Sequence, residues 1–147
     1  MTQAMISEAL ARIAPSGTTA MTDRAIELRA AGHDIISLSV GEPDFATPAH
    51  VIAAAKAALD AGDTRYTQVP GTQALREAAA EHFRRDLGIV VPPAQVIVSA
   101  GGKQAIFHAL LATLNAGDEV LVPSPWWVSY PEIVRFAGAE VVDLPPT

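Results

Sequence analysis

Six consecutive residues, Ser99-Ala100-Gly101-Gly102-Lys103-Gln104, place two glycines and a cation between a predicted strand and a predicted helix. Glycines at such a junction let a ligand approach the backbone. The helix start adds unpaired N–H groups and the positive end of its dipole, a combination that suits a phosphate or another anion. The local pattern also leaves open a glycine turn that does no more than join strand to helix. A Walker-type loop is excluded, because it would need glycine where Ile97 stands and Ser or Thr where Gln104 stands. The dinucleotide glycine fingerprint is not met either.

Ser124-Pro125-Trp126-Trp127-Val128-Ser129-Tyr130-Pro131 holds both tryptophans and one of the two tyrosines at the end of a predicted strand. Ligands of open α/β sheets bind at that edge, where an aromatic can stack on a planar ring or simply anchor a helix to the sheet. The loop Thr64-Arg65-Tyr66-Thr67, with Gly71, offers a hydroxyl and a charge in a glycine-bounded segment. His33, His50, His82 and His108 show no metal-ligand spacing. Only two lysines occur, Lys56 in an alanine-rich helix and Lys103 in the glycine turn, and there is no cysteine.

These residues need a framework, and the sequence patterns supply an α/β one. A helix opens the chain and breaks at Pro15-Ser16-Gly17. A second runs over 18–31, where Met21, Ala25, Leu28 and Ala31 recur at helical spacing before Gly32. Ile35 to Val40 reads as a buried strand and Gly41-Glu42-Pro43-Asp44 as a turn. Thr47-Pro48 matches an N-cap followed by proline for a helix over 48–60, and another helix spans 72–87. Then come a strand at 96–99, a helix at 102–114, a strand at 119–122, a helix opened by the capping box Ser129-x-x-Glu132 and stopped at Gly138, and a strand at 140–144. Short links between such elements predict parallel pairing. A third strand lying so close to Thr147 predicts that the 147 residues are the leading part of a longer chain.

Composition narrows the function classes. With 50% hydrophobic and 18% charged residues the chain is no disordered polymer. A formal net charge of -6 predicts no nucleic-acid partner, since no basic stripe is present to displace counterions. The absence of cysteine rules out disulfides and thiol nucleophiles. No stretch nears the roughly 20 apolar residues of a bilayer span, and no secretory signal is readable, so a soluble cytoplasmic chain is expected.

Taken in order, several strings resemble class I aminotransferases, the fold-type-I enzymes that use pyridoxal 5′-phosphate. They are Ser39-Val40-Gly41-Glu42-Pro43-Asp44-Phe45 with Thr47-Pro48, and Tyr66-Thr67 with Gly71 and Leu75-Arg76. Gly101-Gly102-Lys103-Gln104-Ala105 follows, then Gly117-Asp118-Glu119-Val120 with Pro123-x-Pro125, and Trp127-Val128-Ser129-Tyr130-Pro131. The resemblance is nearest to the bacterial aspartate aminotransferase branch and runs from about Pro15 to the end. It implies an N-terminal arm and small-domain segment over 1–47. The first part of a cofactor-binding large domain, a mostly parallel sheet with helices on both faces, would follow over 48–147.

The resemblance also implies roles. Backbone N–H groups around Gly101, Gly102 and Lys103 would bind the cofactor phosphate, and Trp127 would stack on the pyridine ring and face the substrate. Tyr66 would reach the phosphate in the neighbouring subunit of a homodimer, and Gly41 would meet the substrate carboxylate through its backbone. Trp126 departs from the family, where tyrosine is commonest. The expected reaction is transamination between an amino acid, aspartate or a relative, and a 2-oxo acid. Another fold-type-I reaction, such as C–S β-elimination, shares these motifs. The Schiff-base lysine, the aspartate at the pyridine nitrogen and the arginine for the α-carboxylate lie further along such chains. Lys103 matches the phosphate loop and Lys56 no functional position, so the 147 residues alone are expected to be inert.

Overall fold

The computed structural model describes residues 6–146; the start of the expected opening helix, residues 1–5, lies outside the described residues, as does Thr147. The fold is α/β. Helices are α1 (Glu8–Ala11), α2 (Gly17–Ala30), α3 (Ala49–Asp60), α4 (Gln73–His82), α5 (Gly102–Thr113) and α6 (Ser129–Ala137), and the strands are β1 (Glu119–Pro123) and β2 (Glu140–Leu144). The chain forms two compact units: one runs through Glu42 and resumes at Gly101, and the other is Pro43–Ala100.

In the first unit β1 and β2 pair in parallel, from Glu119 opposite Glu140 to Pro123 opposite Leu144. Two backbone bonds set that register at the strand starts: Gly117 N–H donates to the Gly138 carbonyl at 3.1 Å, and Glu140 N–H to the Asp118 carbonyl at 2.7 Å. Helix α6 makes the crossover and buries Pro131, Ile133 and Val134, with Val134 only 1% exposed. Val122 from β1 and Ala139 ahead of β2 are buried in the same unit. Each fully buried valine or isoleucine contributes about 1.5–3 kcal/mol, so this small core holds the crossover that carries the Trp126-Trp127 segment.

In the second unit α4 is capped by Thr72, whose hydroxyl accepts from Leu75 N–H at 3.4 Å. The helix continues into a π-helical turn, Phe83–Leu87, which closes at Gly88. A single 3-10 turn, Pro93–Gln95, leads into the extended residues 96–99. Ala80 and Val96 are buried, and so is the guanidinium-bearing Arg76.

Several expectations change. Residues 35–40 and 96–99 join no ladder among the described residues, so the sheet has two strands, and the first segment is not buried, with Ile36 and Leu38 exposed. In the first segment the polar groups are met from α2 and locally. Arg29 donates to the Ile35 carbonyl at 3.0 Å, and the Ser39 hydroxyl bonds those of Ser37 and Thr22 at 2.8 and 3.1 Å. Helix α3 begins at Ala49 with Pro48 at its cap position and no side-chain cap, so Thr47 does not cap it. The capping box at α6 does not form: Val128 holds the cap position in helical conformation, and the Glu132 carboxylate is engaged elsewhere.

Candidate functional site

Helix α5 begins at the glycine loop, and its cap differs from those of α1, α2 and α4. Ser7, Ser16 and Thr72 each turn a hydroxyl back onto a backbone N–H of the first turn. At α5 the cap residue is Gly101, with φ 85° and ψ 163°, and it has no side chain to accept from the helix. That conformation lies in a region open to glycine and costly for any other residue. A Cβ built on Gly101 or Gly102 would meet nothing within 4 Å, and both residues are exposed. The helix start is therefore approachable down to the backbone, with N–H groups and the dipole facing outward.

Lys103 stands in the first turn of α5, and its Nζ lies 5.8 Å from the centroid of the Trp127 ring. A cation at that distance is attracted by the ring's electron-rich face. Trp127 follows β1 and is 45% exposed. Gly101, Gly102, Lys103 and Trp127 thus share the first unit, and the Lys103–Trp127 contact ties the glycine loop to the aromatic segment. The Ser124-Pro125 peptide bond in that segment is cis.

Beside them the first unit contains a cavity of about 760 Å³, lined among others by Pro15, Lys103, Phe107, Trp126, Glu132 and Phe136. Phe107 and Phe136, both lining it, have ring centroids 5.6 Å apart. One wall is the N-terminal arm. Ala14 N–H donates to a Glu132 carboxylate oxygen at 2.8 Å, and Arg12 donates to the carbonyls of Arg135 and Phe136 at 2.9 and 3.0 Å. The arginine thereby satisfies carbonyls at the C-terminal end of α6, where the dipole favours a cation.

Gly41 lies in an exposed irregular segment of the first unit, with nothing within 4 Å of the position of a Cβ. Tyr66 belongs to the second unit and is itself fully exposed. The loop that carries it is nonetheless built: Gly71 N–H donates to the Gln68 carbonyl at 2.9 Å, and Val98 N–H to the Pro70 carbonyl at 2.9 Å. Among the described residues no group of three His, Asp or Glu could hold a metal ion, and no helix is long and apolar enough to cross a membrane.

Two residues that matter to this arrangement escaped the sequence patterns. Glu132 reads as half of a capping box, and Arg76 only as part of the Leu75-Arg76 string, with no role attached to it. Their partners lie 118, 17 and 20 positions away, so no short-range spacing could have pointed to them.

Comparison with known proteins identifies the family. The family described as aminotransferase class I and II matches residues 33–147. The aspartate/prephenate aminotransferase of Cereibacter sphaeroides is 53% identical over 141 residues, which are 96% of this chain and 35% of that protein. The protein of the same name from Thermus thermophilus is 51% identical over 95% of this chain and 36% of its own length. Among solved structures, aspartate aminotransferase from Thermus thermophilus with maleate superposes with a TM-score of 0.93 at 49% identity, covering 99% of this chain and 38% of that one. The chain spans about a third of the length of the curated relatives it matches.

Proposed function

This chain belongs to the aminotransferase class I and II family, and from that premise we propose that the intact enzyme carries out pyridoxal-phosphate-dependent transamination between aspartate, or a related amino acid, and a 2-oxo acid. The observation that carries the proposal is the glycine-capped start of α5, open to the backbone and tied by Lys103 to Trp127. The donor set fits the cofactor. A phosphate dianion takes hydrogen bonds from the N–H groups around Gly101, Gly102 and Lys103, where helix dipole and ammonium both favour negative charge. Trp127 supplies a planar face for the pyridine ring.

When bound, the cofactor supplies the electron sink that weakens the amino acid's Cα–H bond. The work of these residues is to hold and orient. The glycine loop fixes the phosphate, Trp127 limits tilting of the ring and faces the substrate, and Gly41 offers its backbone to the substrate carboxylate. Tyr66 serves the phosphate of the neighbouring subunit in a cytoplasmic homodimer. Residues 1–47 act as arm and small-domain segment and 48–147 as the first part of the cofactor-binding domain. Neither lysine moves the proton: Lys103 belongs to the phosphate loop, and Lys56 is an exposed residue of α3.

Both relatives described above bear the name aspartate/prephenate aminotransferase, which supports aspartate as amino donor and prephenate, itself a 2-oxo acid, as an acceptor. The test is an assay of the intact enzyme with aspartate against 2-oxoglutarate and against prephenate, with cystathionine as the competing lyase substrate. Oxaloacetate formation with either acceptor supports transamination. Pyruvate and ammonia from cystathionine, without amino transfer from aspartate, would replace it with the β-lyase reading.

A further inference from the structure

Arg76 is the one charged residue that is buried among the described residues, at 8% exposure. It sits in α4, on whose buried side it lies with Ala80. Its guanidinium spans two carbonyls of the segment that follows the π-helical turn. Nε donates to Pro93 O at 3.0 Å and to Val96 O at 3.1 Å, and Nη2 donates to Pro93 O at 2.7 Å. Both acceptors are neutral backbone groups. Burying a cation is costly unless its donors are matched, and a planar fork meets two carbonyls in a way an ammonium cannot.

What these bonds hold is the entry to residues 96–98. Val96 is buried beside Arg76, and two residues on Val98 N–H donates to Pro70 O at 2.9 Å. The Val98 side chain presses against Gly71: a Cβ there would come within 2.6 Å of Val98 Cγ2. The loop carrying Tyr66 is thus seated on a segment that joins no ladder and is anchored from α4. In sequence the same segment runs on to Gly101.

We propose that Arg76 is a positioning residue, which through Pro93, Val96 and Val98 fixes the 66–71 loop and so places Tyr66 for the cofactor phosphate. The placement of Tyr66 rests on the function proposed above; the anchoring of the loop does not. An extended strand normally takes its geometry from neighbouring strands, and here a side chain of a helix supplies it.

The test uses the intact enzyme with Arg76→Met and Arg76→Lys, read by amide hydrogen exchange and by the dissociation constant for pyridoxal phosphate. Losing a charged donor to buried carbonyls is expected to speed exchange at Val98 and Gly71 at least about tenfold in Arg76→Met. Protection in α3, within the same unit, should hold. The dissociation constant for pyridoxal phosphate should rise about three- to tenfold. Arg76→Lys should recover part of both effects, since an ammonium can reach one carbonyl but cannot bridge as a fork. If Arg76→Met does not fold, Arg76→Lys carries the same test with a smaller rise at the same two amides.

Unchanged exchange at Val98 and Gly71 in a folded variant overturns the proposal. So does faster exchange spread evenly over α3 and α4, which marks a general loss of stability. A third outcome separates the two readings. Faster loop exchange, with cofactor affinity unchanged in both Arg76→Met and Tyr66→Phe, supports Arg76 as the anchor and overturns the phosphate role of Tyr66.

Discussion

The carboxylate of Glu132 accepts the backbone N–H of Ala14 at 2.8 Å, joining residues 118 positions apart. The same side chain also receives the guanidinium of Arg135 one turn further along α6. With Arg12 bonded to the carbonyls at the end of that helix, the arm is fastened on both sides of Ile13. The arm can therefore wall the cavity without belonging to a long helix.

Glu132→Ala should release the arm. A hydrogen bond of this kind at a partly exposed site is worth about 1 kcal/mol, so opening near Ile13 should become roughly fivefold more frequent. Limited trypsin digestion read by mass spectrometry would show faster cleavage after Arg12, with cleavage after Arg24 inside α2 as the internal reference. Equal acceleration at both sites would mean that Glu132 does not hold the arm.

Gly71→Ala should be among the most damaging small substitutions in the second unit. The residue has φ 105°, and an added Cβ would lie 2.6 Å from Val98 Cγ2. Strain and overlap together should cost roughly 2–4 kcal/mol. In urea denaturation the midpoint should fall with little change in slope. Adding Val98→Ala should return part of the loss, because it removes the overlap and leaves the backbone strain. No recovery in the double variant would count against the overlap.

Gly101→Ala and Gly102→Ala should behave differently. Neither added Cβ meets an atom within 4 Å, but only Gly101 has a positive φ. Gly101→Ala should cost about 1–3 kcal/mol and Gly102→Ala much less. Reorienting the first N–H groups of α5 should also weaken pyridoxal phosphate binding by about tenfold in Gly101→Ala. Absorbance titration with the cofactor compares the two, and equal affinities would remove Gly101 from the phosphate site.

The end of α4 should respond to acid. The hydrogen bond from Arg84 is the main cause holding the Glu81 carboxyl below its ordinary value, and Arg85 does the same for Asp86. A carboxylate whose folded pKa is depressed contributes stability above its unfolded pKa and loses it as pH falls through the folded one. These exposed pairs should therefore support the π-helical turn at neutral pH and release it below the ordinary carboxylate range, with added salt weakening the effect. Carboxyl-carbon NMR titration should show Glu81 returning toward its ordinary value in Arg84→Gln. A Glu81 titration unmoved by that substitution would contradict the pairing.

Much of this was legible in the residues. The starts of α5 and β2 and the stop of α6 at Gly138 fall where local spacing puts them, because helix periodicity and terminal glycines act over a few positions. The glycine cap of α5 was readable for the same reason. The capping box was readable too, and wrong: Ser129 and Glu132 have the required spacing, yet the arm brings Ala14 N–H to the carboxylate first. Residues 35–40 and 96–99 read as strands from their composition, yet neither joins the sheet, because pairing needs a neighbour, which no single segment specifies.

Sequence alone determined the family, most helix limits, and the presence of a glycine-capped, lysine-bearing loop followed by an aromatic segment. Tertiary structure alone decided that Lys103 meets Trp127, that Glu132 fastens the arm, and that Arg76 turns inward to carry the segment beneath the Tyr66 loop. The division has a physical cause. Backbone preferences and caps are settled within a turn or two of chain, whereas the partner of a charged side chain is whichever donor or acceptor packing brings within about 3 Å.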